Sequence, residues 1–278
     1  MNQTLNILPS VDVQYQQLVA HILSEGTSRK DRTGVGTRSV FGYALTFDLR
    51  RGFPLLALKE TRWKVAFLEM LFFLRGETNV QWLNDHGCKL WDAWADENGD
   101  LGPIYGAQWR DWGQSGDNRY DQIAKVIHQI KTNPTGRRHL VTAWNVAELD
   151  DMALPPCHWA HQLYADGDEW LDLMLYIRSS DVALGLPFNI AQYALLLHLY
   201  ARATGRKARM LHVTLGDVHI YENHVEAMMA LRRASANAQN DPQIEFLTEN
   251  TDIDGYRIED FSITGYVPGP FVKLPVAV

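Results

Sequence analysis

Apolar residues recur at helical spacing near the start of the chain. Tyr15, Leu18, Val19 and Ile22 stand at i, i+3, i+4 and i+7, which predicts an amphipathic helix ended by Gly26. Phe41, Tyr43, Leu45, Phe47 and Leu49 then alternate with smaller or polar residues, as in a strand with one buried face, until Gly52-Phe53-Pro54 breaks it. Trp63 to Leu74 is apolar on every side except at Lys64 and Glu69, the pattern of a core helix. A carboxylate inside such a helix either pairs or keeps its proton. Two readings of Glu69 stand side by side: a buried ion pair with an arginine, or a general acid/base with a raised pKa. Ile123, Val126, Ile127 and Ile130 predict another amphipathic helix, closed by Asn133-Pro134, and Arg137-Arg138 opens a strand from His139 to Trp144. A further strand starts at Trp159 and runs into Leu163-Tyr164. Leu171, Leu173, Leu175 and Ile177 alternate as a strand that delivers Arg178-Ser179-Ser180-Asp181 at its end. Leu184-Gly185-Leu186-Pro187 turns the chain into a long apolar helix. Asn189 falls in its first turn, slightly deeper than a capping side chain is expected. Leu211, Val213 and Leu215 lead into Gly216-Asp217-Val218-His219-Ile220-Tyr221, with a helix after them.

Between these elements the turns carry little specific chemistry. Asp31-Arg32-Thr33-Gly34-Val35-Gly36-Thr37 lacks the third glycine and the preceding strand of a dinucleotide loop, so it closes over a phosphate or connects a hairpin. Asp96-Glu97-Asn98-Gly99-Asp100 lacks calcium-loop spacing and is a turn. Trp82, Trp91, Trp94, Trp109 and Trp112 crowd one stretch, either as core or as stacking partners for a flat ring. No repeat, linker or composition shift divides the 278 residues, which predicts one domain over 1–278. A net charge of −7 argues against a nucleic-acid coat or a membrane-surface binder, while leaving room for a small anion held by local arginines. Two cysteines, Cys88 and Cys157, are too few for a disulfide framework and fit a reduced, cytoplasmic protein. No signal peptide is visible at Met1 to Ser10, and the longest apolar run, Val65 to Leu74, is about half a membrane span.

The chemistry gathers around Leu154-Pro155-Pro156-Cys157-His158. Two prolines make a rigid turn before the sulfur, placing Cys157 at a strand edge as an inert buried thiol or a nucleophile. Arg32, Arg137, Arg138 and Arg178 lie near turns or strand ends and suit a phosphate dianion. Arg178 would also lower the Cys157 pKa. The Asn189 amide matches the O4 and N3–H edge of uracil.

These segments, with Asp31-Arg32-Thr33-Gly34, Trp91-Asp92-Ala93-Trp94-Ala95-Asp96 and the ending Pro275-Val276-Ala277-Val278, resemble the thymidylate synthase family from about residue 13 to the last residue. The resemblance implies an α/β (α+β) fold whose large mixed twisted sheet lies at a homodimer interface with helices around it. It implies that Cys157 attacks C6 of dUMP, and that C5 takes the one-carbon unit of 5,10-methylenetetrahydrofolate to give dTMP and dihydrofolate. Glu69 would handle protons at O4 through water, Tyr105 would assist loss of the C5 proton, and His158, Arg178, Asp181 and Asn189 would complete the catalytic set. Arg32, Arg178, Ser179 and Ser180 would lie on the nucleotide side, with Arg137 and Arg138 reaching across from the other subunit. Asp181 and Asn189 would also contact dUMP, and His219 and Tyr221 would hold its ribose hydroxyl. Folate would meet Lys59, Arg62, Trp91, Trp94, Leu154, Asp181, Gly185, Phe188 and Tyr221, with Ala277 in a closing lid. No metal is implied. Three departures stand near this site: Glu60-Thr61-Arg62 in place of more basic residues, Trp159-Ala160-His161 in place of alanine and phenylalanines, and Ile177 in place of glutamine. They leave a dUMP hydroxymethylase, giving 5-hydroxymethyl-dUMP and tetrahydrofolate, as the alternative.

Overall fold

The structure, a computed structural model, describes residues 8–113 and 120–277. The opening periodicity forms α1, Val11–Glu25, capped by Ser10 and ended at Gly26. A short strand β1, Thr27–Arg29, turns back through 30–36 into β2, Thr37–Asp48, with Arg29 opposite Thr37. The polar glycine turn is therefore a hairpin connection, and Gly34 and Gly36 take the positive φ it requires. The all-round apolar run forms α2, Trp63–Leu74, followed by the short helices α3, Gln81–Asp85, and α4, Tyr105–Arg110. Next come α5, Gln122–Thr132, and β3, Leu140–Thr142. The regular part of β3 is shorter than the run from His139 to Trp144. Hydrogen bonds from Ala143 N–H to Trp159 O and from Leu163 N–H to His139 O nevertheless extend its pairing at both ends. The chain continues through β4, His158–Asp166; β5, Trp170–Asp181; α6, Gly185–Thr204; β6, Lys207–Tyr221; and α7, Val225–Arg233. A small hairpin of β7, Gln243–Phe246, and β8, Phe261–Thr264, completes the elements.

Six strands form one sheet in the order β1-β2-β6-β5-β4-β3. Only β5 and β6 run parallel, joined by the crossover helix α6, so the sheet is mixed as expected. Cross-strand neighbours share a face, and the register separates two faces. Leu45, Val213, Leu175, His161 and Val141 form a fully buried row. The adjacent row of Thr46, His212, Met174, Gln162 and Leu140 is half-exposed or exposed. One face thus carries the core, which α1, α2 and α6 share, and the other lies open. Phe41 departs from the expected buried row and is 87% exposed. Gly42, at φ +86°, interrupts the pleat beside it, so the alternation does not carry through.

Candidate active site

The parallel pair places functional groups because β5 and β6 end together. Ser179, Ser180 and Asp181 stand opposite Asp217, Val218 and His219. Arg178 to Asp181 and Gly216 to Tyr221 lie within these strands rather than beyond them. The proline turn that precedes β4 docks against the same edge. Arg178 N–H donates to Cys157 O at 2.8 Å, while its Nε and Nη2 donate to Pro156 O at 2.9 Å and Pro155 O at 2.8 Å. The guanidinium also lies over the Trp144 ring. The Tyr105 hydroxyl accepts from Cys157 N–H at 2.8 Å. A charged fork and a phenol thus hold the Cys157 turn rigid.

Burial pushes the Cys157 thiol up from its ordinary pKa, and the charges of Arg178 and Arg32 act against that rise. The expectation that Arg178 would bring the thiol down is corrected: its charge works in that direction, but desolvation is larger. Cys88 is the deeper cysteine, packed among core side chains, and its pKa is likewise raised by burial.

Glu69 sits on α2, 7% exposed, and among the described residues its carboxylate meets Trp91 and Gln192 and no arginine. Trp91 Nε1 donates to its Oε1 at 2.7 Å and Gln192 Nε2 donates to its Oε2 at 2.6 Å. Desolvation outweighs both bonds and raises its pKa to about 7. The ion-pair reading is set aside, since two neutral donors leave the carboxyl poised to gain or lose a proton near neutral pH. Asn189 is the fifth residue of α6 and caps nothing. Its Nδ2 donates to Gln192 Oε1 at 3.2 Å, linking the amide to the Glu69 carboxyl through one side chain.

His158 is stacked on Tyr105, with ring centroids 4.1 Å apart, and its Nδ1 lies 2.9 Å from the Tyr193 hydroxyl. Burial lowers its pKa to about 3, so the imidazole is neutral. His219 Nδ1 meets Asp217 at 3.0 Å, and burial raises the Tyr221 pKa. Asp181 Oδ1 accepts from Ala183 and Leu184 N–H, turning the chain into α6. Gly185 is close by: a Cβ there would reach Asn189 Oδ1 at 3.8 Å and Asp181 Cβ at 4.0 Å.

Trp91 is buried edge-on to Trp94, with centroids 5.8 Å apart, and Trp94, Leu154 and Phe188 are half-buried. Lys59 is buried, with its ammonium turned inward onto Ala183 O at 2.7 Å. Arg62 is exposed and lies over the Phe271 ring. Ala277 is half-buried at the end of the chain's return past residues 56–62. The exposed Arg32 reaches the site electrostatically through Cys157 and Tyr221. Arg137 and Arg138 are exposed, and among the described residues neither pairs with a carboxylate. They are the site candidates that the single chain does not tie to the others. Sequence reasoning missed Gln192 and Tyr193. Gln192 had a signal, being polar in an apolar helix and three residues after Asn189.

A mixed sheet whose paired strand ends carry Arg178 to Asp181 and His219, with the half-buried Cys157 thiol docked against that edge, places this site in the class of α/β folds that gather polar groups at strand ends. Residues 13–278 match the family described as thymidylate synthase, and the chain belongs to it. The family performs folate-dependent methylation of dUMP or a related one-carbon transfer, with methylenetetrahydrofolate as co-substrate. The residues present fit such ligands. Ser180 Oγ is buried with no partner among the described residues, and half-buried apolar surfaces of Trp94, Leu154 and Phe188 suit a flat ring.

Proposed function

We propose that this chain, as one catalytic domain over residues 1–278, converts dUMP to dTMP by reductive one-carbon transfer. The observation that carries the reading is the run Trp91–Glu69–Gln192–Asn189, an acid/base joined by hydrogen bonds to the amide suited to a uracil edge. Cys157 Sγ, as thiolate, attacks C6 and the electron pair moves to C5, leaving negative charge on O4. Glu69, which gains and loses its proton near neutral pH, supplies the proton there through water, and Asn189 donates to O4 and accepts from N3–H. Methylenetetrahydrofolate, when bound, supplies the one-carbon unit and the reducing hydride. The Tyr105 oxygen assists removal of the C5 proton, and its bond to Cys157 N–H keeps it beside the nucleophile. Once the transferred carbon is reduced, the Cys157 thiolate is expelled from C6, restoring the C5–C6 double bond and freeing dTMP. Arg32, Arg178 and Ser179 hold the 5′-phosphate, joined by Arg137 and Arg138 of a second subunit, while His219 and Tyr221 hold the ribose hydroxyl. Trp91, Trp94, Leu154, Gly185 and Phe188 form the folate surface with Asp181 on the pterin side. Arg62 lies towards the tail and Ala277 is on the lid, while Lys59, expected at the tail, turns its ammonium inward onto Ala183 O.

Reduction is favoured over hydration by Trp91, a buried indole pinned by Glu69 that keeps water from the reacting carbon. The test is incubation with dUMP and methylenetetrahydrofolate. The reading requires dTMP with dihydrofolate; 5-hydroxymethyl-dUMP with tetrahydrofolate would establish the hydroxymethylase instead. Cys157→Ser is expected to bind dUMP and form neither product, a loss of many powers of ten in rate.

A further inference from the structure

After β8 the chain returns along residues 56–62 as a strap, and its two ends are held differently. At the near end the Tyr266 hydroxyl donates to Leu56 O at 2.9 Å and accepts from Thr61 N–H at 2.7 Å. Gly269 N–H donates to Ala57 O at 2.7 Å, and Glu60 N–H donates to Pro270 O at 3.3 Å. A Cβ at Gly269 would stand 2.6 Å from Leu58 O, so glycine alone permits that approach. Beyond Pro270, the only hydrogen bond among the described residues is between His224 Nε2 and Pro275 O, at 2.8 Å. A carbonyl only accepts, so Nε2 carries the proton. His224 is fully buried, and its ring lies edge-on to Tyr221 at 5.7 Å. One imidazole therefore touches both the strand end carrying His219 and Tyr221 and the far end of the strap.

We propose that His224 is a positioning residue that seats the far end of the strap and so sets affinity for the folate co-substrate without touching it. This rests on the folate-dependent reaction proposed above. The near end is held by four hydrogen bonds, two between backbone groups and two through the Tyr266 hydroxyl. The far end has one hydrogen bond, from a side-chain donor, helped by the packing of Val272 and Leu274 and by the Arg62 guanidinium over Phe271.

The test compares His224→Phe, which keeps the ring volume and removes the donor, with His224→Gln, which restores a donor. In His224→Phe the KM for methylenetetrahydrofolate is expected to rise about tenfold, the worth of one hydrogen bond. dUMP affinity should be unchanged, and amide exchange by mass spectrometry should quicken in residues 271–277. His224→Gln should return both quantities towards wild type. Unchanged exchange and KM in His224→Phe would overturn the proposal, as would His224→Gln behaving like His224→Phe, which would mean the ring only fills space. If His224→Phe does not fold, nitrogen NMR of the wild-type ring decides: a bare Nε2 means the latch is not made. The exchange and NMR arms need no turnover, so a failure of the proposed reaction shows separately in the product assay.

Discussion

Glu69 shows at the scale of one residue how burial moves a carboxyl's titration towards neutral pH. Its ordinary pKa is 4.5 and the folded value is about 7. Below pH 4.5 both folded and unfolded chains hold the proton, and the shift has no effect on stability. Between 4.5 and 7 the unfolded chain releases the proton while the folded chain keeps it, so stability falls as pH rises through that window. The gap, at about 1.4 kcal/mol per unit, comes to about 3 kcal/mol. Glu69→Gln removes this cost, and a flipped Gln192 amide can still pair with it. The variant should gain stability relative to wild type between about pH 4.5 and about pH 7, measured by urea unfolding across that range. Its kcat should meanwhile fall by about 10²–10⁴, the usual worth of a positioned acid/base. Parallel pH profiles for the two proteins would mean that Glu69 does not hold its proton.

At the scale of an element, the turn 154–157 works because prolines offer carbonyls but no N–H groups, and Arg178 from β5 uses both consecutive carbonyls. A planar fork can do this, whereas a lysine ammonium is a single point charge. Arg178→Lys keeps the charge and loses the brace. Its kcat at saturating dUMP should drop about 10–100-fold, the cost of a slightly misplaced nucleophile. The dissociation constant for dUMP, measured by calorimetry, should change less than kcat does. A loss confined to dUMP binding would assign Arg178 to the phosphate alone.

For the whole molecule, the open sheet face is the outstanding feature. Met174 and Tyr176 are half-exposed on it, and its row ends at the exposed Leu140. Arg137 and Arg138 precede β3 at the sheet edge with no carboxylate partner among the described residues. A second subunit on this face would cover Met174, Tyr176 and Leu140 and bring these arginines to the neighbouring site. Unfolding and refolding Arg137→Ala together with Cys157→Ala should then restore activity to roughly a quarter of wild type, from mixed dimers with one intact site each. Mixed dimers without activity would place the arginines elsewhere.

Much was fixed by local chain properties. The periods of α1, α2, α5 and β5, the stop at Gly26 and the proline turn before Cys157 follow from side-chain spacing and backbone restriction, and these are legible in one dimension. The ordered motifs from Asp31 to the last residues, read as a family resemblance, also supplied most of the candidate site. Tertiary structure decided what depends on distance between segments. Whether Glu69 pairs with an arginine or stays poised between Trp91 and Gln192 depends on how α2 meets α6. Whether the Cys157 thiol is raised or lowered depends on burial weighed against charges from other segments. Phe41 follows the strand period but not the buried row, and Lys59, an ordinary surface residue by composition, points inward to Ala183. Spacing encodes which face a residue occupies; desolvation and partner geometry exist only once distant segments have packed.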